Sequence, residues 1–514
     1  MASTRPKKIL FFTNSDYGQA NVILETVYEL MLSTSNIEIH IASFQRLRHA
    51  IEDTIGLAMD NAAGHAPAHL VFHGLEGRSQ FEAAIGPDVD LFEAYDCPVT
   101  FFNAVHTILK IDGIMQPWSP EEFADLYLQT TSVLKDVKPD LTVVEPLFTP
   151  ALTACNHLSI NWIVLSPNTI KDFAIPLQPR LAALWKYPIV CSALPFPLPI
   201  SHVPMNIALT FVAAYMLLTS QRVENTAAHL KECLGKDIEL FTANEMGVLK
   251  AAPPGLRILV ANSAELDYPF EVLPSHVIPC GPIVRASPGI ASTDPSLNTW
   301  LAQAPTLYVN LGSHLEMDES EALEMAAAFR VLIDKADSIS ESAASGLQIL
   351  WKIKLKEVQG EAAKTTTHAQ EDKYSTIYKI LGQEASNDRI RLADWITAEP
   401  KSVLESGRII CAVNHGGASS FNEALCAGVP QVVLPAWADC YDFANRAELL
   451  GIGRWANKNA KPRWSKDELA ASLVDVILGP SSEKILLSAQ KLGQKYPEDV
   501  GRRKAAEVLL DALM

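Results

Sequence analysis

The chain has 514 residues, 48% of them apolar and 20% charged, with a formal net charge of −17. That length is too long for one hydrophobic core and predicts two domains of roughly 250 residues each, with an ordinary globular composition. The acidic balance excludes a basic nucleic-acid-binding surface and docking on anionic membranes by charge alone.

The chain opens MASTRPKKILFF, whose apolar run is too short for a signal peptide and reads as a first strand, residues 8–13. A helix over 21–32 and a strand over 37–43 follow. Two further strands, 141–145 and 162–166, flank a helix over 150–158. This is the βαβ rhythm of a parallel sheet covered on both faces. The most apolar later segment, 206–218, is interrupted by Thr210 and Tyr215 and is shorter than the roughly 20 residues a spanning helix needs. It predicts a buried or interfacial helix and no stable membrane insertion. A strand over 257–262 leads into Pro-rich connecting sequence (Pro269, Pro274, Pro279, Pro282, Pro288), a plausible interdomain linker. The second series is a strand over 306–311, a helix over 319–334, and strands over 347–354, 390–392, 409–413 and 431–434. The polar stretch 356–387 reads as a surface insertion. Eight cysteines (Cys97, Cys155, Cys191, Cys233, Cys280, Cys411, Cys426, Cys440) form no CxxC pair and no zinc-type cluster. They predict buried thiols in a reducing, cytoplasmic compartment and no metal site. Two successive doubly wound units imply an α/β cleft enzyme with its ligand at the carboxyl ends of the strands.

The most informative run is residues 409–430, which parses as strand, tight Gly turn and helix. Gly416 and Gly417 allow positive φ and a close backbone approach to a ligand. A helix starting near Ser419 or Ser420 would turn free N–H groups toward an anion, with His415 beside them. A diphosphate held by imidazole, hydroxyls and amides needs no metal. Glu423, one turn in, has the reach for two ribose hydroxyls. A purely structural alternative exists, because Ser420-x-x-Glu423 is also a capping box.

The flanks carry a resemblance. Trp395, then His415-Gly416-Gly417-Ala418-Ser419-Ser420, Glu423, Gly428-Val429-Pro430 and Pro435-Ala436-Trp437-Ala438-Asp439 resemble the signature of the UDP-glycosyltransferases, a two-domain GT-B family. The run from Asp439 to Glu448 is most similar to fungal members. The resemblance implies two Rossmann-like domains facing a central cleft. It assigns 1–285 to the acceptor domain, 286–490 to the UDP-sugar domain, and 491–514 to a C-terminal segment packing back on the first domain. It further implies that Trp395 stacks on uracil, and that His415, Gly417, Ser419, Ser420 and the Gly312-Ser313 turn hold the diphosphate. Glu423 then binds ribose and Asp439 the sugar hydroxyls. Plant members carry Gln after the Asp. Here Cys440 stands in that place and hydrogen-bonds poorly, which leaves the sugar open with glucose as the default. Two extra residues between Trp395 and Val403 leave the uracil contacts of residues 396–399 unassigned.

Sugar transfer to a hydroxyl needs a base. The family supplies a His in a Gly-His-x-x-Pro turn after the first strand, oriented by an Asp after a later one. Here Gly18 matches the Gly, so Gln19, which cannot act as a base, falls at the His position. Glu145 stands where the Asp is expected. Glu145 is one candidate base and Asp16 another; the third alternative is that no base acts. Asp16 also suits a helix cap, and Glu145 a buried paired carboxylate. His106 is a further candidate for lining the acceptor site. Phe101, Phe102, Trp118, Phe148, Phe173 and the Pro195–Pro199 stretch suggest an apolar acceptor pocket, with ordinary core as the alternative. The expectation is therefore an inverting, monomeric, cofactor-free UDP-sugar transferase (a hexosyltransferase) acting on a phenolic, polyketide, terpenoid, sterol or fatty acyl hydroxyl. A nucleotide-sugar epimerase and a non-catalytic nucleotide-sugar-binding protein are the competing classes.

Overall fold

The computed structural model describes residues 5–62, 66–91, 95–339, 344–356 and 374–513. The chain divides into two compact units, one running to Ala286 and resuming at Glu498, the other spanning Ser287–Pro497. The return therefore comes at Glu498 and not at 491, which lies inside a continuous helix, Ser482–Lys495.

The first unit begins β1 (Lys7–Phe12), α1 (Tyr17–Ser33), β2 (Ile37–Phe44), β3 (His69–Leu75), α2 (Gln80–Ala84), α3 (Phe101–Leu109) and α4 (Pro120–Val137). It continues β4 (Leu141–Val144), α5 (Thr149–His157), β5 (Trp162–Ser166), α6 (Val203–Thr219), α7 (Gln221–Cys233), β6 (Ile258–Val260) and β7 (Val277–Pro279). Its seven strands are all parallel, in the order β3-β2-β1-β4-β5-β6-β7. Central strands such as β4 are buried on both faces, which is why they read as unbroken apolar runs. Side chains of β1 alternate across the sheet: Ile9 and Phe11 join the core with Val27 and Ile39, while Leu10 and Phe12 pack with Trp118 and Phe148.

The second unit runs β8 (Thr306–Asn310), α8 (Glu319–Ser338), β9 (Gln348–Lys352), α9 (Ser375–Ser386), β10 (Ile390–Ala393), β11 (Ile409–Asn414), α10 (Ala418–Cys426), β12 (Gln431–Val433), α11 (Cys440–Leu449) and β13 (Gly453–Trp455). These strands are also parallel, ordered β10-β9-β8-β11-β12-β13. A last helix, α12 (Val500–Leu513), belongs to the first unit. Its Ala505, Ala506 and Leu509 are buried with Val27 and Leu259. Its Arg502 meets Glu29 at 3.3 Å, and a side chain at Gly501 would collide with the Pro282 carbonyl.

Two expectations change. Residues 357–373 of the supposed insertion lie outside the described residues, but its remainder is α9, an integral helix. Tyr374, Ile377 and Leu381, at helical spacing, are buried in the same core as Phe329 and Ile333 of α8. The apolar 206–218 segment is also part of a longer helical run, Ile200–Cys233. By length and composition that run is sufficient to cross a membrane, with 28% of its apolar window buried. It is divided at Ser220, where α6 ends and α7 begins.

Candidate active site

Both sheets reverse strand order at one seam, β1 against β4 and β8 against β11. In open parallel sheets the crevice beyond the strand ends at such a seam is the expected ligand position.

At the second seam Asn310 and Asn414 are register partners at the ends of β8 and β11. Each side-chain oxygen accepts the N–H of the glycine two residues on, Gly312 at 3.1 Å and Gly416 at 2.9 Å. Both glycines are left-handed, at φ +86° and +80°, a conformation that favours glycine. Asn414 is fixed in turn by donating to Gln431 Oε1 at 2.9 Å. Sequence reasoning used Gly312 and Gly416 but missed the repeated Asn-x-Gly that shapes both turns.

The His415 ring lies between these turns. A Cβ on Gly312 would stand 2.8 Å from it, and one on Gly417 2.5 Å, so side chains are excluded on both flanks. Gly417 itself has an ordinary φ of −68°, so its requirement is space and not handedness. Nδ1 of His415 is buried without a hydrogen-bond partner. Burial, helped by His314 and Lys352, lowers the ring to about 4, so it is neutral at pH 7 with one donor and one acceptor nitrogen.

Helix α10 starts at Ala418 with Gly417 as its N-cap and no side-chain cap. Ser419 and Ser420 therefore sit in the first turn, half-buried, and Glu423 lies well inside the helix, 8% exposed. The capping-box reading of Ser420 and Glu423 fails, since neither occupies a cap position. Ser313 is exposed on the turn after Gly312, and Asp439 is the N-cap residue of α11. Cys440, a candidate donor-site residue by its position after Asp439, turns its thiol inward. Its side chain is only 2% exposed and its thiol is raised by burial and by Asp439, so it presents no polar group to a sugar. What it offers the turn is its carbonyl, 2.7 Å from where a Cβ on Gly416 would stand.

Trp395, two residues beyond β10, is 68% exposed. Lys352, the last residue of β9, sets its Nζ 4.3 Å from that ring's centroid and donates to the Gly312 carbonyl at 3.3 Å. Sequence reasoning passed over Lys352 because a lone lysine at a strand end carries no motif.

The first seam has different chemistry. Asn14, after β1, donates to Glu145 Oε2 at 2.6 Å, and the Leu147 N–H donates to Oε1 at 2.7 Å. Glu145 is fully buried, and burial, with the Asp16 charge adding to it, raises it to about 7 against the pull of those donors. It is buried as expected, but its partners are an amide and a backbone N–H. Asp16 is partly accessible. It is the N-cap residue of α1, yet its side chain makes no cap bond there, so the cap reading fails. Instead it takes a hydrogen bond from the Phe81 N–H at the start of α2, while its Oδ2 is buried with no partner. Burial raises Asp16, and Arg46 opposes the rise. Gln19 donates its backbone N–H to the Asp16 carbonyl at 2.9 Å, and its side-chain Oε1 is buried and unpartnered. Asn14 Oδ1, Ser15 Oγ and Thr149 Oγ1 are unpartnered and buried as well.

The predicted aromatic acceptor lining does not assemble. Phe148 is fully buried, packed on Phe12, Phe44 and Trp118, and is core. Trp118 is also fully buried, and Phe173 is 4% exposed. Phe101 and Phe102 lie on the open side of α3, and His106, exposed on the same helix, makes no hydrogen bond to Asp16, Gln19 or Glu145.

Comparison with known proteins places this geometry. Residues 381–504 match a family model described as the Erythromycin biosynthesis protein CIII-like, C-terminal domain. Over 99% of its length, and 98% of the relative, the chain is 32% identical to the "Glycosyltransferase sdnJ" of Sordaria araneosa. It is 21% identical to "Erythritol-mannosyl-transferase 1" of Mycosarcoma maydis over 98% of the chain and 91% of that protein. Among solved structures, a UDP-glucosyltransferase from Polygonum tinctorium capable of glucosylating indoxyl superposes with a TM-score of 0.59. It is 15% identical, covering 100% of this chain and 99% of the other.

Proposed function

Starting from the fact that the chain belongs to the UDP-glycosyltransferase family and has its GT-B fold, we propose that it transfers a sugar, glucose by default, from a UDP-sugar to a hydroxyl of a lipophilic small molecule with inversion. The observation that carries this is the buried, unpartnered Nδ1 of a neutral His415 between two Asn-braced glycine turns at the start of α10. Such a cradle suits a diphosphate, with Ser419, Ser420 and Ser313 adding hydroxyls, Glu423 reaching the ribose and Asp439 the sugar. It requires no divalent cation.

In the first unit the proton acceptor is Asp16 rather than Glu145. Both Glu145 oxygens are engaged and the residue has no exposed surface, whereas Asp16 keeps one oxygen without a partner. As the acceptor oxygen attacks the anomeric carbon, its proton passes to the partly accessible Asp16 carboxylate. The bond from that carbon to the UDP oxygen breaks on the opposite face, which inverts the centre and releases UDP. Glu145, held by Asn14, feels the Asp16 charge but does not take the proton.

A polyol is the second reading of the acceptor. It is favoured by the unpartnered polar atoms of Asn14, Ser15 and Gln19, and by the polyol acceptor in the name of the Mycosarcoma maydis relative.

The test is incubation with UDP-glucose and a panel of phenols, sterols and polyols in the presence of EDTA, following UDP release and product mass. A product one hexose heavier is expected, formed with inversion. UDP binding without turnover of any panel member, with UDP-glucose or other UDP-sugars, would sink the transfer reading.

A further inference from the structure

We propose that Lys352 is the cation that grips the donor's diphosphate and stabilises it as the leaving group, a role that rests on the UDP-sugar reading of the second seam. The first argument is placement. Across the strand order β10-β9-β8-β11-β12, the strand ends present Trp395, Lys352, Gly312, His415 and then Trp437 with Asp439. Lys352 thus stands between the exposed ring offered to the base and the turn offered to the diphosphate.

The second argument is how the ammonium is held. One contact lies over the Trp395 ring at 4.3 Å, and one N–H goes to the Gly312 carbonyl at 3.3 Å. An ammonium has three donors, so two remain to be aimed. The carbonyl it uses belongs to the same residue whose missing side chain makes room for His415.

Charge supplies the third argument. Lys352 is half-buried, and among the described residues no carboxylate pairs with it. Its neighbour Lys354 is by contrast neutralised by Glu316 at 2.7 Å. Burial and Lys354 lower the Lys352 ammonium. An unpaired cation losing its water is unfavourable until an anion joins it. His415 is neutral and helix α10 offers only partial charge, so Lys352 brings the formal positive charge to this cradle. UDP gains negative charge as the glycosidic bond breaks, so the attraction is stronger in the transition state than in the ground state.

Calorimetric titration of wild type, Lys352→Met and Lys352→Arg with UDP and with uridine tests this, alongside kcat for UDP-glucose. Lys352→Met is expected to weaken UDP binding about tenfold to a hundredfold, the range for losing a charged hydrogen bond, and to lower kcat. Uridine affinity should stay at the wild-type value, which also shows that the variant is folded, and Lys352→Arg should restore most UDP affinity. Equal losses for UDP and uridine would overturn the proposal, since Lys352 would then act only by propping Trp395. Unchanged UDP affinity would overturn it too. A wild-type protein that binds neither ligand refutes the donor reading itself, a distinguishable failure.

Discussion

The two seams occupy equivalent places in their sheets yet work by opposite means. At the second, backbone and absence do the work: glycines clear space around a neutral imidazole, and one cation stands nearby. At the first, side chains do it: two carboxylates, raised by burial, lie among buried polar atoms that have no partners. One seam presents a neutral ring and an ammonium, the other two carboxylates whose affinity for a proton is raised. The contrast teaches that a shared fold leaves the electrostatic sign of each strand-end crevice to a few local residues.

The contrast breaks most sharply at Asp16. Asp16→Asn should lower kcat about a thousandfold, within the range for losing a general base, while UDP affinity stays unchanged. Activity surviving in that variant would remove Asp16 from the mechanism. Next in size is the stability effect of Glu145. Its folded value of about 7 lies above its ordinary 4.5, so its contribution is present below pH 4.5 and is lost as pH rises through 7. The loss is about 3 kcal/mol, and denaturant titrations of Glu145→Gln should show a flatter profile over that interval than wild type. A glycine pair gives a smaller effect. Gly416→Ala forces a side chain into a left-handed turn against the Cys440 carbonyl and should cost about 2 kcal/mol along with UDP binding. At Gly18, in the first turn of α1, a Cβ meets nothing, so Gly18→Ala should be neutral or stabilising by less than about 1 kcal/mol in thermal melts. The smallest effect on UDP binding is at His415: because the ring is neutral, His415→Ala should weaken it by only about tenfold in calorimetry. A loss as large as that of an ion pair would show that the ring is charged in the complex.

The second seam was legible because its parts are contiguous. Residues 409–430 contain strand, turn and helix in order, and Trp395 and Asp439 flank them at short range. The first seam was half legible. Gln19 and Glu145 could be placed by their strands, but Asp16 takes its hydrogen bond from Phe81, some 65 residues further on. Such meetings leave no spacing to read. Phe148 was misjudged because an aromatic beside a catalytic position looks the same in sequence whether it faces a ligand or the core. Lys352 was missed for the reason that β9 is otherwise an ordinary apolar strand. In the fold, the central strands were plain from their apolar runs. The edge strand β3, mostly half-exposed and carrying His69 and His73, was not. Nor were the three-residue β7 and β13.

Helix α12 ties residues 500–513 into the core of the first unit, with Arg502 against Glu29 and Leu509 fully buried. During synthesis the order of completion is therefore reversed relative to the order of sequence. Residues 287–497 are all made before the unit begun ahead of them receives its closing piece. Until α12 docks, the apolar surface of α1 that it covers stays open. Of the two units, the one begun first is completed second.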